Sequence, residues 1–273
     1  MHNIIPILTG GHVVCELQSV YLKRTVTVDI FCPPQLLQRE NINLLILNDG
    51  QDTEALNLQE TMEALYGSQK IEPVLIAAVH SSAARLQEYG VAGIPDFKGR
   101  GSQASAYTSF IITELLPFLE QEIGKPFNGT RAIAGCSLGG LTAFDIAWNH
   151  GGLFNGAGVF SGAFWWRTKD LNDGYTEEDR IMHHVIRESK PAAKLKFWLM
   201  AGTEDETSDR NHNYIIDSID DTIDIVKELM RKGYHKPEDV FYYEMVGGEH
   251  NTESWARAFP AFLSWMFGRK IFL

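Results

Sequence analysis

Basic residues are scarce in this 273-residue sequence: 24 Lys and Arg stand against 35 Asp and Glu, a formal net charge of −11. Nucleic-acid binding requires clustered Lys and Arg that release counterions from phosphates, and no basic stripe interleaved with aromatics occurs, so no such partner is expected. Apolar runs are short as well. None approaches the roughly 20 residues of a membrane span, so no membrane association is expected. Cysteines number only three, Cys15, Cys32 and Cys136, an odd count whose spacing suits neither a metal site nor a disulfide framework. The opening stretch MHNIIPILTGGHVVCELQ lacks a basic n-region and a long apolar h-region, so a signal peptide is not expected. These absences together point to the cytoplasm. Internal repeats and low-complexity tracts are missing too. What remains is ordinary globular composition, 44% hydrophobic and 22% charged, over a length that an α/β fold often fills as one domain.

Short runs rich in β-branched residues recur along the chain. The expected strands are His12–Gln18, Val26–Cys32, Leu44–Leu47, Val74–Val79, Ala132–Ala134, Gly156–Phe160, Phe197–Met200 and Val240–Met245. The first two read as an antiparallel pair, and the later apolar runs as parallel strands buried on both faces. Helical patterns lie between them at Leu56–Tyr66, Tyr107–Gln121, Leu141–Trp148, Ile219–Lys232 and Ser254–Phe267. Alternation of strand and helix predicts a doubly wound, mostly parallel α/β sheet with helices on both faces. No linker interrupts residues 1–273, and a cap-like insertion is expected at about 161–195.

The chemistry-bearing stretch is Arg131-Ala-Ile-Ala-Gly-Cys-Ser-Leu-Gly-Gly140. A short apolar strand runs into Gly135-x-Ser137-x-Gly139, and a helix pattern begins at once, the context that a nucleophile elbow demands. Side chains at Gly135 and Gly139 would collide with neighbouring backbone, whereas Ser137 projects from the tip of the turn over the C-terminal edge of the sheet. A nucleophilic serine needs a base and an acid, which follow it in this architecture in the order acid, then His. The turn Gly202-Thr-Glu-Asp-Glu206 supplies carboxylates, and Gly247-Gly-Glu-His250 supplies an imidazole, each just after a strand. His250 is therefore the expected base. His80, at the end of a strand, is its rival at that edge. His12 lies at the wrong edge, and His2, His150, His183, His184, His212 and His235 read as solvent-facing. Asp205 is the preferred acid, being short and third after the loop glycine, with Glu204, Glu206 and Asp209 left as alternatives. The oxyanion donors are expected at the backbone N–H of Leu138 and, from the Asn48-Asp-Gly-Gln51 turn, of Gln51.

Taken together, Leu47-Asn-Asp-Gly-Gln-Asp52, Gly135-Cys-Ser-Leu-Gly-Gly140 and Gly247-Gly-Glu-His-Asn-Thr-Glu-Ser-Trp255 resemble the putative-esterase family of α/β-hydrolases. That family includes enterochelin esterase-like enzymes, S-formylglutathione hydrolases, feruloyl esterases and mycolyltransferases. Glu114-Leu-Leu-Pro117 and Gln87-Glu-Tyr-Gly90 are also similar to it. The resemblance implies an α/β-hydrolase fold with about eight strands, a carboxylic-ester hydrolase acting on a small-molecule ester, and no metal or organic cofactor. It puts the nucleophile on Ser137, the base on His250 and the acid in the Gly202–Glu206 turn. No basic cluster suited to a tri-anionic catecholate complex is present.

Within the insertion, Trp165 and Trp166 are candidate substrate-binding residues that would offer an aromatic wall to an aryl or sugar-linked ester; otherwise they pack the cap onto the sheet. Trp255 is expected to pack beneath the last helix. Asp209, Asn211, Asn213, Asp217 and Asp220 fall at calcium-loop spacing, but Tyr214 replaces the required glycine and Asp220 the bidentate Glu. An acidic turn opening a helix is the preferred reading. Lys98-Gly-Arg-Gly-Ser102 lacks the spacing of a phosphate cradle. Two other functions compete with a serine esterase working through an acyl-enzyme: an acyltransferase using the same triad, and a non-catalytic binding module on a hydrolase scaffold.

Overall fold

The computed structural model describes residues 11–189 and 194–269, so His2 and positions 190–193 of the expected insertion lie outside the described residues. Eight strands form one sheet: β1 (Gly11–Ser19), β2 (Arg24–Cys32), β3 (Asn43–Asn48), β4 (Val74–Val79), β5 (Arg131–Cys136), β6 (Gly156–Phe160), β7 (Lys196–Glu204) and β8 (Val240–Glu249). Their order is β1-β2-β4-β3-β5-β6-β7-β8. The pairs β1–β2 and β2–β4 are antiparallel, and every pair from β4 to β8 is parallel.

The unbroken apolar strands are explained by two cores. Leu44 and Ile46 point into one, and Leu45 and Leu47 into the other, the period of two that a strand imposes. The first core is covered by α3 (Ala104–Ser109), α4 (Leu116–Ile123), α5 (Leu138–Asn149), α6 (Ile181–Glu188) and α7 (Asp217–Arg231). The second lies beneath α1 (Leu58–Gly67) and α8 (Thr252–Phe267). Because β5, β6, β7 and β8 are neighbours and parallel, their C-terminal ends share one edge.

Three local features depart from the sequence expectation. The helix expected at Tyr107–Gln121 is α3 and α4 joined by a π-helical stretch, Phe110–Leu115. Pro117, two residues on, has no N–H to give to the preceding turn, so the ladder loosens there. The widened turn carries Glu114, which accepts hydrogen bonds from Ser19 Oγ at 2.6 Å and Val20 N–H at 2.8 Å. A short helix, α2 (Arg85–Glu88), and α6 were not expected, each being too brief for its period to register. His183 is fully buried on α6 rather than solvent-facing. Its Nε2 lies 2.9 Å from the Asp221 carbonyl, and burial holds its pKa down at about 3, so the ring is neutral.

The segment after β6 is clamped to α7 by charge. Asp221, fully buried, accepts Arg180 Nη1 at 2.6 Å and Arg210 Nη1 at 3.1 Å, while Arg180 Nη2 reaches Asp224 at 2.7 Å. Asp221→Ala should therefore destabilise the protein by about 3 kcal/mol in denaturant unfolding, because two largely buried guanidinium groups lose their shared partner. Asp145 on α5 tests a different term. It accepts Ala92 N–H at 3.0 Å and Asn149 Nδ2 at 2.8 Å, yet burial pushes its carboxyl up to about 7. An acid raised on folding stabilises the native state most below the unfolded carboxyl's pKa, and that contribution is lost as pH rises through about 7. Asp145→Asn cannot ionise, so its Tm relative to the parent should rise between about pH 4.5 and pH 8; a constant offset would show that Asp145 does not titrate in that window.

Candidate active site

Ser137 sits between β5 and α5 with φ 54° and ψ −122°, a region that side-chain-bearing residues rarely enter. The glycines around it are sterically obligatory. A Cβ on Gly135 would come within 2.5 Å of the Gly139 carbonyl, and one on Gly139 within 2.7 Å of Asp49 Oδ2. Ser137 N–H donates to Phe160 O at 2.8 Å, and Ser137 O accepts Ala163 N–H at 3.1 Å, so the turn is stitched to the end of β6. Leu138 N–H opens α5, where no preceding turn supplies it a carbonyl.

Across the edge, His250 lies between β8 and α8, and its Nε2 stands 2.9 Å from Ser137 Oγ. His80 is engaged elsewhere: its Nε2 is 2.6 Å from Asp29 Oδ2, while His12 Nε2 is 2.9 Å from the other oxygen. Among the four acids weighed from sequence, Asp205 is the one whose charge reaches His250. A bulge between Gly202 and Glu204 turns the chain there, and Asp205 is buried with Oδ2 accepting Gly202 N–H at 3.0 Å and Oδ1 accepting Ser161 Oγ at 3.0 Å. Glu204 ends β7 opposite Glu249. Glu206 lies near Ser208, Ser218 and Asp217, and burial pushes its pKa up. Asp209 binds the Asn213 and Tyr214 N–H groups. No direct Asp205–His250 hydrogen bond occurs among the described residues.

The loop after β3 forms the other wall. Asp49 adopts φ 60°, and a Cβ on Gly50 would meet the Ala78 carbonyl carbon at 2.6 Å and His80 at 2.8 Å. Gln51 follows at the surface, its side-chain carbonyl accepting Ser81 N–H at 3.0 Å. Two interactions unforeseen from sequence hold this loop. Asn48 Nδ2 donates to Gly139 O at 2.7 Å and is itself fixed by Tyr107 Oη at 2.7 Å. Arg85 forks onto buried Asp49, Nε to Oδ1 and Nη2 to Oδ2, both at 2.7 Å. Arg85 sits on a four-residue helix with no periodicity to announce it, and Asn48 reads in sequence as part of a plain turn.

Of the two cap tryptophans, only Trp165 keeps exposed surface. Trp166 is fully buried; a Cβ on Gly90 would stand 3.1 Å from its ring. Arg100 lies over both rings at 5.1 and 5.0 Å. Trp255 is nearer the chemistry than expected: its ring meets His250 edge to face, centroids 5.2 Å apart, and its Nε1 donates to Ser161 Oγ at 3.0 Å. The Asp209–Asp220 loop satisfies its own acids, with Asn211 and Asn213 amides on Asp220 at 2.9 and 2.6 Å. Among the described residues no group of three or more His, Cys, Asp or Glu is disposed to hold a metal ion. No described helix is long and apolar enough to cross a membrane.

Partial burial of the His250 ring, which keeps exposed surface, pushes its pKa below the ordinary value; Asp205 opposes this and Arg85 adds to it. His250 should thus titrate below about pH 6.5 by imidazole NMR. Arg85→Gln, which removes the cation, should move that midpoint upward. An unchanged midpoint would mean that solvent screens Arg85 from the ring.

A family model described as "Putative esterase" matches residues 19–266. The uncharacterized protein YbbA of Bacillus subtilis (strain 168) is 23% identical over 226 residues, covering 80% of this chain and 84% of YbbA. The enterobactin esterase FES from Shigella flexneri superposes with a TM-score of 0.71 at 18% identity, covering 93% of this chain but only 57% of FES. A ferulic acid esterase superposes at 0.68 and 18% identity, covering 95% of this chain and 98% of that one. An IroE-like serine hydrolase from Shewanella oneidensis gives 0.64 at 18% identity, over 93% and 79% of the two chains. Sheet order and these neighbours establish the α/β-hydrolase fold.

Proposed function

We propose that this chain, which belongs to the putative esterase family, is a hydrolase acting on ester bonds: a serine esterase working through an acyl-enzyme, with Ser137, His250 and Asp205 as its triad. The observation that carries this reading is the 2.9 Å approach of His250 Nε2 to Ser137 Oγ on a strained turn. Ser137 Oγ attacks the ester carbonyl carbon as His250 Nε2 takes its proton. The oxyanion is held by the N–H groups of Leu138, at the positive end of α5, and of Gln51. The C–O bond of the alcohol then breaks, and His250 protonates the departing oxygen. Water repeats the sequence in reverse: His250 removes its proton, the hydroxide oxygen bonds to the acyl carbon, and Ser137 leaves reprotonated. Asp205, buried behind the site, stabilises the imidazolium at each stage.

The substrate in this reading is a small aryl or sugar-linked ester. Trp165, in the expected cap of a single domain, keeps part of its surface exposed, and a neighbour named for ferulic acid favours an aromatic ester. A cytoplasmic address fits the three buried, unpaired cysteines, with burial pushing Cys15 up to about 12 and Cys32 to about 11.

The test is a fluorophosphonate probe followed by short p-nitrophenyl and methyl-ferulate esters. Labelling and turnover should occur in the parent and vanish in Ser137→Ala with its unfolding transition unchanged, a loss of at least about 10³-fold in kcat. Absence of labelling in the parent would favour a binding module. Capture of the acyl group by an added alcohol in preference to water would make the enzyme an acyltransferase.

A further inference from the structure

Ser161 directly follows β6 and is held at φ 47°, with 2% of its surface exposed. A buried, side-chain-bearing residue in left-handed backbone is costly where glycine would be free of strain, and such residues persist chiefly where a site depends on them. Its hydroxyl makes two bonds. It accepts Trp255 Nε1–H at 3.0 Å and donates to Asp205 Oδ1 at 3.0 Å, with Met200 Sδ a more distant 3.7 Å away. Its backbone is tied down as well, Ser161 N–H donating to Met200 O at 2.8 Å. Two residues on, Ala163 N–H binds the carbonyl of Ser137 itself.

We propose that Ser161 is a positioning residue whose single hydroxyl keeps Asp205 and His250 in register. The inference rests on the triad reading above. With no direct Asp205–His250 hydrogen bond among the described residues, the ring is held by Ser137 Oγ at Nε2 and by the edge-to-face contact with Trp255, interplanar angle 81°. A buried indole N–H needs an acceptor, and the one that Trp255 has is Ser161 Oγ. The same oxygen's proton, together with Gly202 N–H, fixes the two carboxylate oxygens of Asp205. Acid and base, which come from different loops, therefore meet through one serine on a third.

Ser161→Gly separates positioning from mere support, because glycine relieves the φ strain while removing the hydroxyl. Its Tm should stay within about 5 °C of the parent's, the relieved strain offsetting the two lost hydrogen bonds. Its kcat per fluorophosphonate-titrated site should fall about 10- to 100-fold, with KM for p-nitrophenyl acetate changed less than about twofold. Trp255→Phe keeps the ring contact but deletes the N–H. It should lower kcat less, and the two losses should combine less than additively. A Ser161→Gly protein with parental kcat per titrated site, or strictly additive losses, overturns the assignment while leaving the triad intact. A parent protein that fails to react with the probe overturns both.

Discussion

The turn at Ser137 holds a side-chain-bearing residue at φ 54°, and the surrounding architecture is arranged around keeping it there. Such a conformation relaxes unless both flanking elements are immobile. β5 and α5 are almost wholly buried, and Gly135 and Gly139 approach each other more closely than any Cβ allows. Asn48 then grips the Gly139 carbonyl, with Tyr107 behind it. The strain is spread through a packed core that cannot yield locally, so Ser137 Oγ stays aimed over the sheet edge.

Around that oxygen the charges are distributed unevenly. Asp205 favours a protonated His250, whereas loss of water and the nearby Arg85 disfavour it. The balance tips the imidazole toward its neutral form, the state in which Nε2 can receive a proton. Arg85 in turn is locked by buried Asp49 on the loop that carries Gln51. One ion pair therefore shapes the loop expected to supply an oxyanion donor and also bears on the basicity of the ring facing it.

Legibility in the sequence followed the range of the interactions. The alternating burial of Leu44 to Leu47 is written in a run of four residues, and all eight strands were anticipated from such runs. Gly135, Ser137 and Gly139 are contiguous and carry their steric reason with them. The loosened turn before Pro117 was harder, because proline's missing N–H signals interruption without saying whether a helix stops or widens. Helix α6 and buried His183 were opaque. Their environment is created by α7 and its Asp221, some forty residues away along the chain.

By itself the sequence determined the order of the strands and of the helical stretches α1, α3–α4, α5, α7 and α8, the strand-turn-helix at Ser137, and the presence of an imidazole and a carboxylate just after β8 and β7, because each is a short-range pattern tied to backbone geometry. Which carboxylate's charge bears on His250, that His80 is committed to Asp29, and that Ser161 bonds both Asp205 and the Trp255 indole were decided only by tertiary structure. Those relations join loops dozens of residues apart. They exist only once the parallel sheet has brought the C-terminal ends of β5, β6, β7 and β8 to one edge, where a difference of a few ångströms separates contact from irrelevance.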